Sequence, residues 1–357
     1  MTVVVAATLA VSYLSWRFVE QPFRKQRLSP LLGRGLLVSA ACLITVFAVG
    51  AHLTKGYPFR MPQEVHEVLA FSRSYPESYK KCLYSRDDVK DLDLSQSCEF
   101  GASAAPSVAI WGDSHAASIA QPLGEALGIK GRSMKQFTLS SCQPIPGLAN
   151  RGQSQAEQCV NFNSRVLSEL LESPTINTVV MFATWDNYFL NHETQNMFGV
   201  FEADDFYSYP NSQNPDLSDD ARKAAVATAL GNTLEKLTEA GKRVVLLASL
   251  PRPDVDIPVF FAGKLWNGGA LPEDVGYPVE IFHFQADIVR KIMAQAAHAS
   301  TAPDRVVIVD PADVFCDAAE CALIKDRKLL YVDGNHPSLA GTALLVPLVV
   351  EKILHVE

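Results

Sequence analysis

The chain carries no glycine-rich phosphate loop, no Cys-x-x-Cys or Cys/His cluster and no excess of positive charge. The first absence removes the backbone cradle on which P-loop and dinucleotide-binding proteins hold phosphates. The second leaves no ligand set with zinc spacing, and His66, His192, His283, His298 and His355 show none either. With 31 Lys and Arg against 39 Asp and Glu, a net charge of −8, there is no electrostatic footprint for nucleic acid. Internal repeats, collagen periodicity and the composition of disordered chains are missing too. A secretory signal peptide fits poorly, because the charges follow the first apolar segment rather than precede it. What remains, 357 residues at 48% hydrophobic, suffices for one large domain or two modest ones with ample core.

The first sixty residues do not read as a soluble fold. Val3–Leu14 is almost wholly apolar but short for a crossing, whereas Leu36–Leu53 runs without a formal charge at close to the roughly 20 residues a spanning helix needs. Between them lie Arg17, Arg24, Lys25, Arg27 and Arg34, opposed only by Glu20, which places this loop on the cytoplasmic side and everything after Leu53 across the membrane. The cysteines test that topology. Cys42 lies in the second apolar run, and the other six form neighbours in sequence, Cys82/Cys98, Cys142/Cys159 and Cys316/Cys321. Six cysteines allow fifteen connectivities; neighbour pairing is the simplest, and it fits an oxidising compartment. Scattered buried thiols are the alternative.

From Ser107 onward short apolar strands alternate with amphipathic helices. Strands are predicted at Val108–Trp111, Thr178–Ala183, Arg243–Ser249 and Arg305–Val309, and helices at Ala116–Leu127, Asn161–Glu172, Asp219–Ala240, Pro278–Ala299 and Ser338–Leu354. This alternation means an α/β fold with a parallel sheet covered on both faces, whose sites form at the carboxyl ends of strands. Two long stretches interrupt it, Glu202–Asp220 and the proline-rich Pro251–Tyr277, both read as walls or a lid over the site or as plain insertions.

"VAIWGDSHAAS" puts Ser114 between a strand and a helix, where helix N–H groups can stabilise an oxyanion. Serine and aspartate at such a turn also serve as plain caps, and Asp113 and His115 read more simply as turn and helix-start residues. The partner lies in "LLYVDGNHPSLAG": Asp333 and His336, three apart, supply from one local turn the imidazole base and the carboxylate that orients it.

In this order and this far apart, "GDSH" and "DGNH" resemble the SGNH (GDSL-like) hydrolase superfamily. "SYLSWRFVEQPFRK" (residues 12–25) resembles the end of the membrane domain of the acyltransferase 3 family, and an apolar span, "GDSHAAS", "SSCQP", "FATWDNY", a Cys…Cys pair and "YVDGNHPSLAG" follow it. The whole resembles the extracytoplasmic SGNH domain fused to that membrane domain in bacterial O-antigen and other polysaccharide O-acetyltransferases. The resemblance implies a three-layer, flavodoxin-like parallel sheet preceded by one or two transmembrane helices, with residues 1–55 as transmembrane region, 56–103 as periplasmic linker and 104–357 as SGNH domain. It implies Ser114 as acyl-accepting nucleophile, His336 as base, Asp333 as orienting acid, and acetyl transfer to a cell-surface glycan from the periplasmic side of the inner membrane. The Ser141 N–H and Asn187 stand as oxyanion donors, though "LSSC" and "ATWDNY" depart from the superfamily's glycine and asparagine blocks. Trp185 and Tyr188 either line the sugar site or belong to the core. No bound cofactor is expected. The acyl group would come from a membrane acyltransferase domain of which this chain keeps only the end, so either the sequence is a fragment or a separate membrane partner supplies it, with membrane lipid close by. An esterase using the same triad, or a non-catalytic glycan-binding module, are the competing readings.

Overall fold

The computed structural model describes residues 2–24, 29–54, 56, 58–85, 87, 89, 92–150, 156–190, 194–201, 208–210 and 217–355. The chain forms two compact units, Met1–Pro62 and Gln63–Glu357.

In the first unit the Thr2–Leu14 helix runs through a π-helical stretch, Ser15–Glu20, into Gln21–Arg24. The Pro30–Leu53 helix starts on Ser29, whose Oγ accepts from the Leu32 N–H at 3.3 Å, with Pro30 pre-set for the first helical position. Within it Leu31–Leu53, 23 residues, is long and apolar enough to cross a membrane. This helix begins before the apolar run read from sequence, so Arg34 belongs to its first turns and not to the basic loop. At 13 residues, Thr2–Leu14 is too short for a comfortable span.

The second unit is built on β1 (Glu99–Gly101), β2 (Val108–Gly112), β3 (Ser133–Thr138), β4 (Leu148–Asn150), β5 (Thr178–Phe182), β6 (Ser208–Pro210), β7 (Arg243–Leu247), β8 (Val275–Pro278), β9 (Val306–Val309), β10 (Glu320–Lys325) and β11 (Lys328–Leu329). Among the described residues the main sheet has the order β1-β3-β2-β5-β7-β9. All its neighbours pair parallel except β1, which closes the edge antiparallel to β3. The strands are uninterrupted apolar runs because both faces are covered. Ala109 and Trp111 of β2 enter a buried cluster with Phe162, Val166 and Leu170 of the Ala156–Glu172 helix, Leu230 and Leu234 of the Asp219–Glu239 helix, and Met293 of the Val279–Ala299 helix. The Trp111 indole N–H is satisfied there by Asn163 Oδ1 at 2.9 Å. Val108 and Ile110 point the opposite way and are equally buried; helices Ser114–Ile129 and Leu339–His355, which pack on each other, cover that side. The result is the three-layer SGNH-hydrolase fold expected from sequence.

Several boundaries differ from expectation. Residues 63–103 are not a linker but part of the catalytic unit. The Cys82–Cys98 disulfide, the β1–β3 pairing and the Tyr84 N–H bonded to Thr138 O at 3.0 Å stitch them to the sheet. Strand β3, "SMKQFT", was not foreseen, since its Lys135 and Gln136 are polar yet buried. Lys135 Nζ reaches Glu169 at 3.3 Å, and Gln136 Nε2 reaches Thr138 Oγ1 at 2.7 Å. Pro251–Tyr277 is no plain loop: it contains the Ile257–Trp266 helix, capped by Asp256 Oδ1 accepting from Val259 N–H at 2.9 Å, with Phe261 and Leu265 buried. It ends in β8, which joins β10 and β11 in a second, antiparallel sheet. Most of Glu202–Asp220 lies outside the described residues; its Ser208–Pro210 pairs with β4. All three neighbour disulfides are present, Cys82–Cys98, Cys142–Cys159 and Cys316–Cys321.

Candidate active site

Chain order reverses across the sheet at β2: the connection to β3 leaves on one side and β5 lies on the other, so a crevice opens at the carboxyl end of β2. Ser114 sits there. Gly112 is obligatory one step earlier, because a Cβ on it would stand 1.8 Å from the Phe182 carbonyl oxygen of β5. Asp113 then caps the Ser114–Ile129 helix, its Oδ1 accepting from the His115 N–H at 2.8 Å. That leaves the Ser114 side chain at the first turn of the helix, facing the crevice.

Asp333 and His336 approach from a different element than expected. The apolar run before them is not a strand of the main sheet but a tight loop after β11, closed by Val332 N–H to His336 O at 3.1 Å and held from behind by Ser338 Oγ on Leu329 O at 2.6 Å. Asp333 Oδ1 accepts from the backbone N–H groups of Asn335 (2.9 Å) and His336 (2.8 Å), and its Oδ2 faces His336 Nδ1 at 2.8 Å. A carboxylate only accepts, so Nδ1 carries the hydrogen and Nε2 is left to accept from Ser114 Oγ, 2.7 Å away. Ser114, His336 and Asp333 thus form one continuous hydrogen-bond relay.

The electrostatics follow from this packing. Burial pushes the Asp333 carboxyl up, but the hydrogen bonds and charge of His336 and the two backbone N–H groups outweigh it and hold it well below the usual range. Burial lowers the affinity of His336 for a second proton, and the neighbouring His115 lowers it further, against the pull of Asp333 and Asp113. The base is therefore poised in its neutral, proton-accepting form. We expect the acid limb of kcat/KM for a chromogenic acetyl ester to fall below pH 6.5, the ordinary histidine value. His115→Gln should move that limb upward, and a limb that stays in place would show that His115 does not act on His336.

Four residues without motif signal complete the site. The Tyr75 hydroxyl donates to Asp333 Oδ2 at 3.2 Å, and its ring stacks on Tyr79 at 4.1 Å, whose own hydroxyl interacts with Ser114. His115 stacks on the His336 ring at 4.3 Å, with Nε2 at 3.0 Å from the Asn335 carbonyl and Nδ1 at 3.1 Å from Thr184 Oγ1. Thr184, at the end of β5, binds Asp113 Oδ2 through both its N–H (3.1 Å) and its hydroxyl (2.8 Å). Only the i, i+4 spacing of Tyr75 and Tyr79 could have marked any of these in sequence.

The remaining candidates divide. Ser141 lies in the turn after β3, in the left-handed region at φ 52°, on a segment whose Leu139 N–H binds the Gly112 carbonyl at 3.1 Å. It is thus beside the nucleophile turn. Asn187 follows β5; its Oδ1 accepts from Arg252, which leaves Nδ2 as the donor end. Arg252 is itself buried between Asp186 (2.9 Å) and Asp254 (2.5 Å), and burial alone would lower its proton affinity while the two carboxylates raise it. Trp185 and Tyr188 do not line a sugar site. Both are fully buried: the Trp185 indole donates to Leu247 O at 2.7 Å, and the Tyr188 hydroxyl to Asp113 Oδ2 at 2.7 Å. Their polar tips are spent on the core, so they support the turn rather than touch a ligand.

Residues 81–351 match the family model described as the SGNH domain (fused to AT3 domains). Among solved structures, the chain is similar to the periplasmic domain of a lipopolysaccharide acetyltransferase from Salmonella ser. Paratyphi A, at 14% identity and a TM-score of 0.47, over 70% of this chain and 84% of that one. It is also similar to a GDSL-like lipase from Bacteroides thetaiotaomicron, at 13% identity and a TM-score of 0.36, over 80% of this chain and all of the other. No curated protein matches.

Proposed function

The chain belongs to the family of SGNH domains fused to AT3 domains, and on that footing we propose that it is a membrane-anchored O-acyltransferase that esterifies a cell-surface glycan through an acyl-Ser114 intermediate. The observation that carries this reading is the unbroken relay from Ser114 Oγ through His336 to Asp333. His336 Nε2 takes the Ser114 proton as Oγ attacks the acyl carbon of the donor. The tetrahedral oxyanion forms beside the helix N-terminus and the Ser141 turn, and collapses with loss of the donor's leaving atom, which takes the proton back from His336. A glycan hydroxyl then gives its proton to the same nitrogen and attacks the acyl-serine, and Ser114 departs with that proton. The acyl group, acetyl in this reading, arrives from a membrane acyltransferase domain. The Leu31–Leu53 helix and the three disulfides support an anchor in a bacterial inner membrane with the SGNH unit in the periplasm.

One observation favours hydrolysis instead. The His336 and Asp333 side chains are 18% and 36% exposed, so water can reach the base. An activated acetyl ester offered with and without O-antigen polysaccharide separates the two. Transfer is expected to place acetyl on the glycan at the expense of free acetate; unchanged acetate release with no acetylated glycan leaves the esterase reading in place.

A further inference from the structure

The surface of the catalytic unit carries an aromatic face that the reaction does not use. Val259 and Trp266 lie at i, i+7 on the outer side of the Ile257–Trp266 helix, with Phe260 beside them. The Phe198 ring is 5.8 Å from Phe260, and the Phe201 ring is 5.8 Å from Phe284 of the Val279–Ala299 helix. Phe198, Phe201, Val259 and Trp266 are each between 53% and 59% exposed. Isolated apolar side chains at a surface need no explanation, but a contiguous group of large aromatics does. The display is built rather than accidental. Asn196 Oδ1 accepts from the N–H groups of Phe198 (3.0 Å) and Val200 (3.2 Å), Gly199 turns the chain at φ 73°, and Met197 N–H fastens the turn to Pro253 O at 2.7 Å. The charge within the outer helix face is a cation: Lys264 Nζ stands 4.6 Å over the Phe260 ring.

We infer that this face rests on the phospholipid bilayer, with Phe198, Phe201 and Trp266 in the headgroup region and Lys264 toward lipid phosphate. Chain length argues for lipid as occupant. Residues 54–62 alone separate Leu53, the end of the apolar helix, from Gln63, and fully extended they reach about 30 Å. The helix they lead into, Gln63–Ala70, packs directly on Ile257–Trp266. The aromatic face therefore belongs to the element adjoining the chain's entry into the domain. Rigid aromatics with a basic flank are what an interfacial surface requires, since indole and phenyl rings settle at headgroup depth and lysine pairs with anionic lipid. The inference rests on the anchoring part of the proposed function and not on acyl transfer.

The test is contact quenching in the full chain, reconstituted in phosphatidylethanolamine/phosphatidylglycerol nanodiscs with acyl chains either ordinary or brominated near the headgroup. Trp16→Phe removes the tryptophan of the N-terminal unit, while Trp111 and Trp185 are fully buried and out of reach of bromine. The emission lost on adding Trp266→Phe to this background reports Trp266 alone. Brominated lipid should abolish most of that difference, and Phe198→Ser with Phe201→Ser should restore part of it. Equal Trp266 emission in both lipids, from a chain that elutes with the nanodisc and still hydrolyses acetyl ester, overturns the docking and directs the face to a protein partner. A chain that fails to enter the nanodisc removes the anchor and this inference together, leaving the triad chemistry untouched.

Discussion

Ser114→Ala should reduce acyl turnover by on the order of 10^4–10^6-fold while leaving the fold in place. The size follows from the relay: without Oγ there is no atom to carry the acyl group, and His336 Nε2 faces a methyl group instead of a proton donor. Stability should change by less than about 1 kcal/mol, because a single partly exposed hydrogen bond is lost and the helix cap is Asp113, not Ser114. Two measurements check it. A serine-reactive phosphonate should add its mass to the native chain and not to the variant, and glycan from a strain complemented with the variant should lack O-acetyl groups. Undiminished acetylation with Ser114 absent would falsify the acyl-serine route and leave a binding module as the better account.

Asp113→Asn should be the more damaging change to the fold. Asp113 is fully buried and accepts from the His115 N–H, the Thr184 N–H and hydroxyl, and the Tyr188 hydroxyl. An amide in its place must turn an NH2 toward at least one of these donors, which leaves buried groups unsatisfied at a cost of about 3 kcal/mol. Urea denaturation should show a lower midpoint at unchanged slope; an unshifted midpoint would mean that the pocket admits water. The same carboxylate gives stability a pH signature. Burial raises its proton affinity, but the hydrogen bond and charge of His115, with Thr184 and Tyr188, hold it down to about 2 against an ordinary 3.8. A carboxyl depressed in the folded state contributes its stabilisation, about 2 kcal/mol, above pH 3.8 and loses it as pH falls toward 2. The native chain should therefore show this acid destabilisation, and Asp113→Asn should lack it.

Strands β2, β5 and β7 are legible in the sequence because each is an apolar run bounded by breakers, which is how a strand buried on both faces must read. Strand β3 is not, since Lys135 and Gln136 become acceptable in the core only once Glu169 and Thr138 arrive from elsewhere. The triad was legible by residue type: a serine at a strand-to-helix turn and an Asp-x-x-His turn have few other uses together. Its supports were not. Tyr75 and Tyr79 precede the first strand and touch Asp333 and Ser114 only through the fold, so nothing in their spacing marks them. Trp185 and Tyr188 were misleading for a related reason. An aromatic with a polar tip reads alike whether its partner is a sugar or, as here, a backbone carbonyl and the Asp113 carboxylate.

The three disulfides join cysteines 16, 17 and 5 residues apart, each to the next one along the catalytic unit. During export the chain emerges amino end first, so each cysteine's native partner is the next thiol to appear. A donor oxidase acting in order of arrival yields the native set directly, and disulfide isomerase has no scrambled pair to repair. Secretion of the catalytic unit should thus depend on oxidation but not on reshuffling.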